Sequence, residues 1–443
     1  MFLFWHLFYD FFPFSGCRFS LWNAMMGTTM LAIPWAIQQA GFTLGIFLTL
    51  FIAGLSYYTI TLVLSMADEM RFRQVDGSVP IQDFSEVCAY FVGRRFGQIT
   101  VCISLFTMIT AGIAYWILMS DFLFEMGHSI AGFLNTTSNG TKSHHLYMTH
   151  GPMYVKHFRA TEDTPSATGG IFSQIWTQSF IPLFLVVAIF PLTLIRTPVI
   201  FTKISSLGVI SVFYLIALVG VKAGILGLNF DFCADPTLRD FRSGFPALTG
   251  TMVMAFFLHN TVVAMTTASN PNTRSRDTGI AYILACITYL YIGITVYVTF
   301  PENKGTIQDN FLKNFASSDV LGLVARALLL LQMISIFPLL VYVTRIQLVR
   351  QLLRRDPQNF KWILITSVTL ISAGTLMAIF FPKIGTVLRV TGSLAGLAFS
   401  FTLPCIVYLT YLRQEGKTTH AIVWTHLLII LLGLINFISQ FLI

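Results

Sequence analysis

Charged residues are scarce in this sequence of 443 residues: Lys, Arg, Asp and Glu together make up 10% of it, against about 25% in soluble domains. Apolar residues make up 55%. This balance excludes a soluble globular enzyme, and it excludes a disordered chain because disorder requires low hydrophobicity and high charge. The long apolar runs also argue against an outer-membrane barrel, whose strands alternate over about 10 residues. The composition therefore predicts an all-α polytopic membrane protein.

Motifs for catalysis and metal binding are also absent from the sequence. The six cysteines form no CxxC pair, so neither a disulfide framework nor a zinc site is indicated. There is no HExxH, GxGxxG or GxSxG motif and no phosphate-binding P-loop. We predict no enzymatic activity and no cofactor. The net charge of +8 is attributed to membrane orientation rather than to nucleic-acid binding.

The few charged residues divide the chain into apolar segments, each long enough to cross about 30 Å of hydrocarbon. We count eleven such spans: two within 18–68, then one each within 95–121, 163–196, 203–222, 242–274, 277–302, 326–345, 361–383, 389–413 and 417–443. We therefore expect a short cytosolic tail at 1–20 and a single transmembrane domain at 21–443.

Lys and Arg indicate the orientation of these spans. With a cytosolic N-terminus, 16 of the 27 Lys and Arg residues fall on the cytosolic side, which favours that orientation and places the C-terminus in the lumen. The long loop at about 122–172 would then be luminal. It carries two N-x-T sequons, at Asn135 and Asn139, so we expect this loop to be glycosylated.

Two spans are irregular near their middle. In the first, Gly27 is followed by Thr28 and Thr29, which favours either an unwound helix or a closely packed one, with equal weight. In the sixth, His259 and Asn260 follow two phenylalanines and are costly in hydrocarbon unless they face the protein interior. The first and sixth spans occupy corresponding positions in a five-plus-five inverted repeat, and broken helices at such positions bind substrates in transporters.

A resemblance to a known family rests on several stretches of sequence. They are LWNAMMGTTMLAIPWAIQQAGF at 21–42, AFFLHN at 255–260, NFLKNFASSDVLGLVARALLLLQMISIFPLL at 310–340 and FPKIGTVLRVTGSLAGLAF at 381–399. These stretches resemble the amino acid/auxin permease family. The resemblance implies eleven helices in an inverted repeat, with helices one and six broken around a central amino-acid site.

Site residues follow from matching the family's motifs to this chain. Its substrate-site threonine corresponds to Thr28, and its sodium ligands correspond to Asn23 and Ser335. By itself, the Ser335 hydroxyl would more often bond to its own helix than bind a cation. We expect backbone N–H groups of Gly27, Thr28 and Thr29 to hold the substrate carboxylate, because a half-helix N-terminus attracts anions. The ammonium would be held by carbonyls at Phe256 and Phe257.

The function predicted is secondary active transport of amino acids across a lysosomal or late endosomal membrane, with sodium as the coupling ion. The alternative is an amino-acid sensor that signals to a growth-control GTPase complex. A lysosomal member of the family engages that complex through a long cytosolic tail. Only about twenty residues precede the first span here, which argues against this partner and leaves amino acids and membrane lipid as the expected partners.

Overall fold

A computed structural model describes residues 16–73, 81, 83–138, 175–195, 208–229, 241–267, 269–300, 304–316 and 319–442. Most of the expected cytosolic tail, together with residues 139–172 of the expected luminal loop, lies outside these ranges. Every regular element in the described ranges is a helix. The all-α prediction is thus confirmed.

The α-helices differ widely in length. In chain order they are α1 (Gly16–Met25), α2 (Ile33–Ala40), α3 (Phe42–Arg73), α4 (Phe84–Phe91), α5 (Arg94–Ser138), α6 (Ile181–Thr193), α7 (Gly208–Leu226), α8 (Phe245–Ala255), α9 (Val262–Met265), α10 (Pro271–Thr299), α11 (Val320–Arg345), α12 (Phe360–Phe380), α13 (Ile384–Ala395), α14 (Leu403–Gln414) and α15 (His420–Ser439). Shorter segments are 3₁₀ turns at Thr28–Leu31, Lys304–Thr306 and Phe311–Asn314. Two π-helical turns, at Ile346–Leu352 and Gly396–Thr402, continue α11 and join α13 to α14.

Eight of the described helical segments are long and apolar enough to cross a membrane. They comprise α3, α5, α7, α10, α12 and α15, together with α11 and the α13–α14 pair, each including its π turn. The other three predicted spans contain shorter helices: α1 with α2, α6 alone, and α8 with α9. The helical regions thus follow the apolar segments of the sequence, while the count of eleven crossings stays a prediction.

The helices pack in two groups. One contains α1, α2, α3, α8 and α10, and the other contains α5, α6, α11 and α12. Helix α13 contacts both groups, through α8 and through α5. The interrupted segments of the first and sixth spans therefore lie in the same group, and α5 and α11 of the second group face them.

Helices α8 and α13 approach each other unusually closely. A side chain at Gly392 would place its Cβ 2.2 Å from the carbonyl oxygen of Gly250, and one at Gly250 would approach the carbonyl oxygen of Arg389 to 2.6 Å. Real Cβ atoms do not approach that closely, so neither position has room for alanine. Small residues are what allow two helix backbones to meet in this way.

Candidate functional site

The first span is broken at Gly27. Helix α1 ends at Met25, and Gly27 has extended backbone angles, with φ of −115° and ψ of −161°. A 3₁₀ turn at Thr28–Leu31 follows, and α2 begins at Ile33 with Pro34 in its first turn. Of the two alternatives that the sequence left open, the unwound helix is the one observed.

The break leaves backbone donors without partners. The N–H of Gly27 donates to the Met25 carbonyl over 2.8 Å and so does not remain free. The N–H groups of Thr28 and Thr29 begin the 3₁₀ turn, where intrahelical acceptors are lacking, and they find no acceptor among the residues that the structure describes. Two of the three donors expected for a carboxylate are therefore available.

A small cavity lies between this break and helices α5 and α11. It is lined by Met26, Gly27, Thr28, Met30, Leu31, Tyr115, Leu329, Gln332 and Met333. It has room for about one water molecule, so an amino acid can enter only if side chains move. Three methionines in the lining suit that movement, because the unbranched thioether side chain adapts its shape easily.

Two residues with polar side chains line the cavity and were not among the predicted site residues. One is Tyr115, which lies on α5. The other is Gln332, whose amide oxygen is buried and accepts no hydrogen bond within the described part of the chain. Gln332 stands out in the sequence as a polar residue inside an apolar span, which is a usable signal. Tyr115 gives no such signal, since tyrosine is common in membrane helices.

The sixth span is broken between α8, which ends at Ala255, and α9, which starts at Val262. The ring of Phe256 packs between Tyr282 and Tyr289, with centroids 5.8 and 5.3 Å away, and its carbonyl accepts a hydrogen bond from the Tyr282 hydroxyl at 2.9 Å. The ring of Phe257 packs against Phe399. Neither phenylalanine is part of the cavity lining at Gly27, and the expected binding of the ammonium by their carbonyls stays a prediction.

The second break is fixed by a buried polar network. His259 Nε2 lies 2.9 Å from Thr59 Oγ1 on α3, and Asn260 Nδ2 donates to Ser104 Oγ on α5 over 2.7 Å. Ser104 in turn donates to Gln347 Oε1 over 3.0 Å, in the first π-helical turn. His259 and Asn260 thus face the protein interior, where hydrogen bonds satisfy their polar groups. Without such partners these groups would be costly to bury in hydrocarbon.

The two predicted sodium ligands, Asn23 and Ser335, are close in sequence to residues that line the cavity but do not line it themselves. Asn23 is one helical turn before Gly27, and Ser335 is one turn after Gln332. Asn23 Oδ1 is buried and accepts no hydrogen bond from the described residues. Ser335 Oγ donates to the Gln332 carbonyl over 2.7 Å, which is the local bond expected of a helical serine, yet its lone pairs remain available to a cation.

The described residues around the cavity form no metal site built from charged side chains. Among the described residues, no three His, Cys, Asp or Glu side chains are grouped to hold a metal ion. An amide oxygen and a hydroxyl are hard, neutral ligands, so they fit a weakly held alkali cation and no transition metal. Of the predicted glycosylation sites, Asn139 and the side chain of Asn135 lie outside what the structure describes.

Comparison with known proteins gives the family. A family model described as "Transmembrane amino acid transporter protein" matches residues 17–442. The chain therefore belongs to this family of membrane transporters, which corresponds to the resemblance stated above, and it is not an enzyme.

Individual relatives show which members of the family this chain is similar to. The chain is 35% identical to "Neutral amino acid transporter 9" of Xenopus tropicalis and 36% identical to the protein of that name in Danio rerio, covering 96% of this chain and 79% of each relative. It is 35% identical to "Sodium-coupled neutral amino acid transporter 9 homolog" of Caenorhabditis elegans, over 96% of this chain and 72% of the relative. The solved structure "Crystal structure of MhsT in complex with L-phenylalanine" aligns with a TM-score of 0.49 at 12% identity, covering 96% of this chain and 97% of that chain.

Proposed function

We propose that this protein is a secondary active transporter of neutral amino acids, coupled to sodium, in an endolysosomal membrane. The observation that carries the proposal is the break at Gly27, where the free N–H groups of Thr28 and Thr29 lie beside a cavity between helices. The names of the relatives support neutral amino acids as substrate and sodium as coupling ion. The endolysosomal location rests on the family resemblance, and the cytosolic N-terminus on the distribution of Lys and Arg.

The substrate carboxylate would be held by the N–H groups of Thr28 and Thr29. Backbone donors at the start of a helical turn carry partial positive charge, which suits a carboxylate in a site without charged side chains. The residues lining the cavity are all uncharged. A charged substrate side chain would lose its hydration there without gaining a counter-ion, so the lining favours neutral amino acids.

Sodium would be held by Asn23 Oδ1 and Ser335 Oγ. The amide oxygen is buried without a donor, and it lies on the segment whose backbone is freed by the Gly27 break. A cation bound there would stabilise the same half-helix that precedes the carboxylate site. Because broken helices one and six occupy corresponding halves of an inverted repeat in such transporters, the same relationship is proposed here.

The decisive experiment is uptake of a panel of labelled amino acids by vesicles containing the purified full-length protein, with and without sodium. We expect saturable, sodium-dependent uptake of neutral amino acids. Thr28→Trp fills the cavity and should abolish it, whereas Thr425→Trp, at an exposed position on α15, should retain it. Absence of uptake with every amino acid would contradict transport, and binding without uptake would assign the chain to the sensor class instead.

A further inference from the structure

One side chain contacts the ends of both interrupted helices. The hydroxyl of Tyr289, on α10, lies 2.6 Å from the carbonyl oxygen of Met25 and 3.0 Å from that of Ala255. Met25 is the last residue of α1 and Ala255 is the last residue of α8. The hydroxyl therefore lies where the first and the sixth spans both stop being helical.

Carbonyl groups at such positions need a donor. The last carbonyls of a helix have no intrahelical partner and carry the negative end of the helix dipole. Met25 and Ala255 are 3% and 2% exposed, and Tyr289 is 0% exposed, so water does not serve these groups in the interior. The tyrosine hydroxyl supplies one donor shared by two acceptors, while the Met25 carbonyl also accepts from the Gly27 N–H. The hydroxyl thereby connects the ends of the two half-helices directly.

The packing around Tyr289 holds its hydroxyl in this position. Its ring meets the ring of Phe256 edge to face, with centroids 5.3 Å apart. Two turns earlier on the same helix, Tyr282 donates to the Phe256 carbonyl and so contacts the sixth-span break alone. Phenylalanine would fill the volume of either tyrosine, so packing does not account for the hydroxyls.

We propose that Tyr289 is a positioning residue that joins the breaks of helices one and six into one rigid unit. It acts through the main chain and not by touching substrate. By fixing the end of α1, it also fixes the direction of the Thr28 and Thr29 N–H groups that follow. This last consequence rests on the proposed function, whereas the joining of the two breaks does not.

Hydrogen exchange of backbone amides, followed by mass spectrometry on the full-length protein, tests the joining directly. In Tyr289→Phe, exchange should accelerate in two separate peptides, 22–32 and 252–262. The expected acceleration is about tenfold, which is the equilibrium change that the loss of one hydrogen bond represents. In Tyr282→Phe, only peptide 252–262 should respond. Tyr291→Phe removes a hydroxyl from the same helix that donates to Ile216, and neither peptide should change.

Three results would overturn the proposal. They are an unchanged Tyr289→Phe protein, faster exchange at one break alone, and faster exchange spread over all helices, which would mean general destabilisation. Amino-acid affinity provides the second readout. Tyr289→Phe should weaken every substrate by a similar factor, because the shared carboxylate donors are affected, and selective weakening of one side-chain type would contradict this. If wild type binds no amino acid, the proposed function fails while the exchange result still decides the joining.

Discussion

Lys313 Nζ lies 2.6 Å from Asp121 Oδ2, and this ion pair connects the segment between α10 and α11 to helix α5. The Asp121 side chain is 5% exposed and that of Lys313 is 22% exposed. Burial alone lowers the pKa of Lys313, but the carboxylates of Asp121 and Asp309 outweigh it and the pKa is raised. Lys313 therefore keeps its charge throughout the physiological range, and the stability that Lys313 gains from these carboxylates is lost as pH rises through its raised pKa.

The first prediction concerns this pair. Lys313→Met should lower the free energy of unfolding by about 3 kcal/mol, because it leaves the Asp121 carboxylate buried without a partner. Lys417→Met, at a lysine that is 65% exposed, should change it by less than about 0.5 kcal/mol. In thermal unfolding in detergent, the double variant Lys313→Met, Asp121→Asn should recover much of the stability that Lys313→Met loses. If the stability losses of the two substitutions simply add, the two residues are not coupled.

The second prediction concerns Lys304, in the 3₁₀ turn after α10. Burial lowers the pKa of Lys304 from 10.5 to about 8. Between these values the unfolded chain binds more protons than the folded protein, so the contribution of Lys304 to stability increases as pH rises from about 8 to 10.5. Below pH 8 both states are protonated and the full cost of burying the charge is present.

Chemical unfolding across this pH range provides the measurement. The free energy of unfolding of wild type relative to Lys304→Met should rise between pH 8 and 10.5 and stay level below pH 7. Lys383→Met serves as the control, because Lys383 lies at the N-terminus of α13, in another part of the chain. A difference that is flat or falls with pH would show that burial does not control this lysine.

The third prediction separates the sodium site from a local hydrogen bond. If Ser335 is a ligand, Ser335→Ala should remove the sodium dependence of uptake, whereas Ser335→Thr should preserve it because the hydroxyl oxygen is kept. The bond to the Gln332 carbonyl is worth about 1 kcal/mol at most, so stability should change little in either variant. A full sodium response in Ser335→Ala would remove the cation site and leave the transporter.

The fourth prediction concerns orientation. Glycosidase treatment of the protein from a eukaryotic cell should shift its mobility, and Asn135→Gln with Asn139→Gln should abolish that shift. Each single variant reports which sequon is used. Identical mobility of wild type and the double variant before and after treatment would contradict the luminal position of the loop.

Part of this architecture could be predicted from composition and spacing alone. The positions of the few charged residues predicted where the helices lie. Each lysine or arginine is costly in hydrocarbon and therefore indicates the end of a membrane span. The break at Gly27 could be suspected but not decided, since Gly followed by Thr28 and Thr29 suits both close packing and unwinding. The structure decides it through the extended conformation of Gly27.

The remaining features depend on contacts between residues far apart in the chain. Tyr289 reaches Met25 across 264 residues and Asn260 reaches Ser104 across 156, and periodicity carries no information about such pairs. The expected role of Phe256 illustrates the limit. The sequence marked Phe256 as part of an irregular segment but gave no indication that its ring packs against Tyr282 and Tyr289, or that the cavity at Gly27 is lined from α5 and α11.

The near contact between Gly250 and Gly392 has a consequence for motion. Two backbones that meet without intervening side chains leave no space for one helix to rotate past the other, so α8 and α13 must travel together. Beyond the break, α9 contacts α3 and α1, and α8 also contacts α3. Helix α13 packs against α8, so a displacement of α13 would move α8 with it and would be taken up in the six residues between Ala255 and Val262.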